Sequence, residues 1–118
     1  MDNKLNILIK ELTEKNLNKG AVWQKTSGEG QFKIQLNKAT LTIDKWNDED
    51  GDNFSLDIYN ENGEKIKQIH TMASLLEDAE NFALLSDLYN SVINTYYKTD
   101  ETIDSIINEI KNKDIIGK

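Results

Sequence analysis

Residues 31–70 read QFKIQLNKATLTIDKWNDEDGDNFSLDIYNENGEKIKQIH, and their alternation decides the fold. Phe32, Ile34 and Leu36 fall on one side of an extended chain, and Gln31, Lys33, Gln35 and Asn37 on the other. After Asn37-Lys38 a second strand runs from Ala39 to Trp46, with Ala39, Leu41 and Ile43 apolar and Thr40, Thr42, Asp44 and Trp46 opposite. Asn47 to Asn53 reads as a loop, after which Phe54, Leu56 and Ile58 restart the apolar face. Glu61-Asn62-Gly63-Glu64 carries Asn-Gly, a strong hairpin signal. Glu64 to His70 closes the set. Its Ile66 and Ile69 are out of phase, which predicts a bulge or an edge strand. The stretch is thus an antiparallel meander with one apolar and one polar face.

Helical sequence flanks it. Leu5, Leu8, Ile9 and Leu12 form one stripe, so residues 3 to 18 are expected as a helix, capped by Asp2 or Asn3 and ended by Gly20 in the C′ position. Ala21 to Thr26 reads as a short strand and Ser27-Gly28-Glu29-Gly30 as a turn. The two glycines are not a phosphate cradle, because no Gly-Lys-Ser/Thr follows. Met72 to Leu76 reads as a loop or helical turn, and helix resumes near Glu77 or Glu80. Leu85, Tyr89, Val92, Tyr96, Ile103, Ile106 and Ile110 then recur about every 3.5 residues, with Thr99 in phase. One straight helix of about thirty residues would be about 45 Å long, against about 23 Å for a seven-residue strand. Either the helix breaks near Lys98-Thr99-Asp100, or its overhang packs on a second chain. The expected class is α+β: an N-terminal helix, a four- to five-stranded meander, and one kinked or two C-terminal helices, all on one face.

At 118 residues the chain is expected to be a single domain. Its net charge of −7 disfavours nucleic acid and anionic membranes and suits a basic protein partner. Cysteine is absent, which excludes disulfides and thiolate metal sites. Arginine is absent too, which removes bidentate phosphate and carboxylate clamps. The abundance of Lys, Asn and Ile resembles AT-rich coding bias, that of a bacterium or mobile element. No run approaches bilayer length and no signal peptide is legible, so a cytoplasmic location is expected.

The segment Trp23-Gln24-Lys25-Thr26-Ser27-Gly28-Glu29-Gly30-Gln31-Phe32, taken with the meander and long C-terminal helix, resembles small bacterial domains of unassigned function. They share a W-x-K-T-S-x-x-G-x-F hairpin after a first helix. The resemblance implies a fold and no activity.

Three constellations bear on function. Asp48, Asp50 and Asp52 around Gly51 resemble a calcium loop. With Gly51 in the sixth position, Trp46 stands where the first ligand belongs and Asp57 where a glutamate belongs. A solvated loop is the better reading, and no metal is expected. Second, a two-residue turn at Asp50-Gly51 would pair Asp44 with Asp57 and Trp46 with Ser55. A turn at Asn62-Gly63 would pair Asp57 with Gln68 and Ser55 with His70. The polar face then gathers Asp44, Trp46, Ser55, Asp57, Tyr59 and His70 as a candidate binding surface. The opposed carboxylates would repel, unless a cation relieves them or a longer loop at 47–53 changes the register. Ser55, His70 and Asp57 have the residue types of a catalytic triad, but an open sheet face excludes no water and offers no oxyanion hole. Third, Tyr96, Ile103, Ile106 and Ile110 form a candidate dimer interface. The expected function is a non-catalytic protein-interaction module, a homodimer without cofactor, with an acidic inhibitor or immunity-like protein as a variant. The alternative is a domain sequestering a small molecule or cation on the polar face.

Overall fold

The computed structural model describes residues 3–73 and 78–117. Helix α1 spans Asn3–Leu17, and five strands follow: β1 Gln24–Lys25, β2 Gln31–Gln35, β3 Ala39–Asp48, β4 Gly51–Asn60 and β5 Lys65–Met72. Helices α2, Ala79–Tyr97, and α3, Thr99–Asn112, complete the chain. The strands form one antiparallel sheet in sequence order, β1-β2-β3-β4-β5. The α+β arrangement expected from the sequence is the one found, with two C-terminal helices. The Asp2 cap and the segment 74–76 lie outside the described residues.

The core follows the alternation. Phe32, Ile34, Leu41, Ile43, Phe54, Leu56 and Ile69 supply the sheet's apolar face. Leu85, Leu88, Tyr89 and Val92 of α2 pack over it, and Ile9 and Leu12 of α1 join the same cluster. Leu36 departs from the pattern: it lies just past β2 and is exposed, because pairing with β3 stops at Gln35↔Thr40. The first strand is shorter than Ala21 to Thr26. Only Gln24 and Lys25 pair with β2, while Ala21 and Trp23 turn into the core.

Helix α1 ends differently from expectation. Lys19, not Gly20, takes the left-handed conformation, at φ 59°. The amide of Lys19 donates to the carbonyl of Asn16, and that of Gly20 to Lys15. These are the two bonds of a Schellman cap, with Gly20 one position past the αL residue.

Two turns set the registers. The β3–β4 connection is not a loop over 47–53. Strand β3 continues to Asp48 and β4 begins at Gly51, leaving Glu49-Asp50 as a two-residue turn. Asp48 Oδ1 accepts the Asp50 amide, a side-chain turn that aspartate forms readily. Shifting the turn by one position from Asp50-Gly51 moves the register by two. Asp44 now faces Ser55, and Asp57 faces Thr42, so the two carboxylates are no longer opposed. The side of the sheet each residue occupies is unchanged.

The β4–β5 connection is also displaced. Asn60 donates its amide to the Glu64 carbonyl, so the loop is Glu61-Asn62-Gly63, with Gly63 at φ 81°. A three-residue loop ending in a left-handed glycine offsets the pairing by one. The bulge between Ile58 and Tyr59 offsets it back: Tyr59 pairs with Lys65 but Ile58 with Lys67, leaving Ile66 extra and exposed. The expected pairs Asp57↔Gln68 and Ser55↔His70 therefore form.

Candidate functional site

Two surfaces stand apart from the core. The first is the polar sheet face, opposite α1 and α2. Its central side chains Thr42, Asn53, Ser55 and Asp57 are buried. Long neighbours reach over them. Lys65 Nζ lies 3.5 Å from Asp57, and Ser55 Oγ donates to the same carboxylate at 3.4 Å. Gln31 Nε2 donates to Asp44 Oδ2 at 2.8 Å. Burial pushes the Asp44 carboxyl up from its ordinary value. The Gln31 hydrogen bond opposes the rise and the charge of Asp57 adds to it.

At the other end of this face Trp46 stacks on His70, with centroids 5.2 Å apart and planes 19° from parallel. His70 Nε2 lies 3.0 Å from Asn53 Oδ1. Asn53 Nδ2 donates to Asp48 and to the Gly51 carbonyl. Its Oδ1 is therefore the acceptor, and Nε2 of His70 carries the proton. The six expected residues share this face in a row. Ser55 lies across from Asp44 on one side and His70 on the other, Trp46 stacks on His70, and Lys65 lies beside both Asp57 and Tyr59. Ser55 donates to Asp57 and His70 bonds Asn53, so neither makes the serine–histidine bond of a triad. The acidic loop is likewise spent on its own turn. Asp48 accepts from Asp50 and Asn53, Asp52 lies 3.9 Å from Lys45, and no group of three metal-ligating side chains converges among the described residues.

The second surface is α3. It contributes no buried residue. Ile103, Ile106, Ile107 and Ile110 are 48%, 52%, 43% and 53% exposed, values ordinary for polar residues and high for four isoleucines on one helix. The helix leaves the body at Lys98, whose backbone is left-handed at φ 54°, ψ 44°. Asn94 braces this elbow: its Nδ2 donates to Asp100 Oδ2, and its Oδ1 accepts the Asp100 amide. Lys19 Nζ ties the end of α1 to Glu101 at 3.0 Å. The expected break near Lys98 is present, with Lys98 rather than Thr99 or Asp100 as the junction. The projecting helix makes the molecule long. Its radius of gyration is 16.9 Å, against about 13.5 Å for a compact chain of this length.

Where α1, α2 and α3 meet there is a cleft of about 470 Å³, lined by Leu17, Val22, Trp23 and Tyr96 and rimmed by Lys19 and Glu101. Sequence reasoning did not find it. The available signal was Asn16, four residues after Leu12 on the α1 stripe: it is buried, and it hydrogen-bonds Trp23 and Ser91 behind the cleft.

No protein-family model, curated protein or solved structure matches this chain. No helix among the described residues is long and apolar enough to cross a membrane.

Proposed function

We propose that this chain is a non-catalytic protein-interaction module that engages another protein through the apolar face of α3. The observation that carries this reading is the exposure of Ile103, Ile106, Ile107 and Ile110 on a helix that gives nothing to its own core. Burying the exposed half of each isoleucine contributes about 1 kcal/mol. Water contact of four such side chains on one short helix is therefore a standing cost that a partner removes. Two kinds of partner suit the helix. A second copy would make the chain a homodimer through Tyr96, Ile103, Ile106 and Ile110. A basic protein would make it an inhibitor or immunity-like protein, drawn by the net charge of −7.

Sequestration of a small ligand or cation on the polar sheet face is the weaker reading. The carboxylates and amides there are engaged with one another, and their centre is buried.

A benzophenone side chain in place of Ile107, irradiated in the cell that makes the protein, tests the proposal. A specific covalent adduct is expected, lost when Ile103→Asp is added. An adduct of twice the chain mass identifies a second copy, and any other mass a different protein. Absence of any adduct, in the cell and with purified protein, would overturn the reading.

A further inference from the structure

Resting on the reading of α3 as a docking helix, we infer that its occupant is a second copy of this chain, with the two α3 helices antiparallel. In this pairing the Ile115-Ile116 tail of each chain lies over the elbow cleft of the other.

The seam comes first. Thr99, Ile103, Ile106 and Ile110 within α3, and Lys113 just past its end, are separated by four, three, four and three residues. This is the spacing with which one helix packs along another. The seam is nearly symmetric about Ile106, so it complements its own copy run in reverse.

Charge then selects the direction. The carboxylates Asp100, Glu101 and Asp104 make the start of α3 acidic, while at its end Lys111 and Lys113 offset Glu109 and Asp114. Side by side in parallel, acidic start would face acidic start. Antiparallel, each start lies along the other's end, and the helix dipoles oppose as well. The remainder of the molecule argues the same way. Each chain carries −7, and a parallel pair would set the two acidic bodies together. An antiparallel pair holds them at opposite ends of a 14-residue helix, about 21 Å apart by helical rise. That exceeds the screening length of about 8 Å at physiological salt.

The ends supply a separate observation. Beyond α3, Ile115 and Ile116 are exposed, and at the elbow Leu17, Val22 and Tyr96 are exposed around the cleft. Within one chain these groups lie at opposite ends of α3. Antiparallel pairing centred on Ile106 sets Asn112 of one chain beside Asp100 of the other, so the tail that follows α3 in one chain runs toward the Lys98 elbow of the other. The apolar tail then meets the apolar cleft twice, once at each end.

The test uses the full chain. Light scattering against concentration is expected to show a dimer at micromolar protein, with Ile106→Asp monomeric and its circular dichroism unchanged. The natural sequence has no cysteine, so Thr99→Cys and Lys113→Cys each introduce one thiol. A short bismaleimide is expected to link the two variants in mixture several-fold more than either alone, and Ile115→Ser with Ile116→Ser is expected to weaken the dimer. Linkage of each variant with itself, without gain on mixing, would show parallel helices and overturn the proposal. A monomer at every concentration would overturn it too. The benzophenone experiment separates that result from failure of the docking reading: an adduct with a different protein retains a docking α3, and no adduct removes both.

Discussion

The indole Nε1 of Trp23 donates a hydrogen bond to Asn16 Oδ1 at 2.7 Å, and Asn16 Nδ2 passes the chain on to Ser91 Oγ at 2.8 Å. Ser91 donates in turn to the Leu88 carbonyl, and Thr95 donates to the backbone carbonyl of Asn16. One buried amide thus joins α1, the segment before β1, and α2. Removing it leaves a buried indole N–H without an acceptor. Asn16→Ala is expected to destabilise the fold by about 2–4 kcal/mol. Urea unfolding measures this, and a loss under about 1 kcal/mol would mean that water replaces the amide.

Gly30 is held where no side chain fits. Its φ is 71°, and a Cβ there would lie 2.7 Å from the carbonyl oxygen of Lys45. That approach is fixed from both sides: the Lys45 amide and the Tyr89 hydroxyl both donate to the Gly30 carbonyl, at 3.2 and 2.9 Å. Gly63 also has positive φ, but a Cβ would meet nothing within 4 Å. Gly63→Ala should therefore cost only the left-handed penalty, about 1–2 kcal/mol. Gly30→Ala should cost clearly more, because the clash is with backbone. Equal thermal midpoints for the two variants would contradict this account.

The sheet was legible in the sequence because period-two alternation is a local signal. Phe32 with Ile34, Leu41 with Ile43 and Phe54 with Leu56 each declare their face within three residues, and all six are buried or nearly so. The β3–β4 turn was not legible. Asp50-Gly51 is the stronger local signal, yet Glu49-Asp50 makes the turn. The deciding terms are the Asp48 side-chain turn and the relief of Asp44 from Asp57, and the second involves residues thirteen apart. Asn16 was illegible for the same reason, since Ser91 is 75 residues away. The α2–α3 break was legible only through length. Thr99 keeps the stripe in phase, and Lys98 carries no glycine-like mark of a left-handed residue. Of the polar face, parity predicted which residues share a side, but not that Asn53 would bond His70 and leave Ser55 to Asp57.

Asp44 gives the fold a pH dependence of defined sign. Burial raises its carboxyl above the ordinary 3.8, with the charge of Asp57 adding to the rise against the Gln31 hydrogen bond. The folded state therefore holds the proton more tightly than the unfolded chain. Between the ordinary and the raised value, stability falls as pH rises, and above the raised value the whole cost of the charge is present. Asp44→Asn keeps an acceptor for Gln31 Nε2 without that charge. It is expected to be more stable than wild type at neutral pH, with the difference shrinking on acidification through the carboxyl range. Stability curves at several pH values check the sign, and a difference that grows toward low pH would refute it.

Lys98 stores strain at the joint that aims α3. A non-glycine residue in the left-handed region costs about 1–2 kcal/mol, and here the Asn94–Asp100 bonds and the Lys19–Glu101 pair offset it. All of these are exposed, so water screens what they contribute. Lys98→Gly removes the strain while adding chain entropy to the unfolded state, about 0.5–1 kcal/mol in the opposite direction. A small net gain is expected. Lys98→Val makes the strain worse, because a β-branched side chain tolerates positive φ poorly. The thermal midpoints should rank Lys98→Gly above wild type above Lys98→Val. The heptad spacing runs unbroken from Leu85 to Ile110, so a continuous α2–α3 helix is the conformation competing with the elbow. Lys98→Val should shift population toward it, read in solution scattering as a radius of gyration larger than that of wild type at the same concentration, whereas Lys98→Gly should leave that radius unchanged.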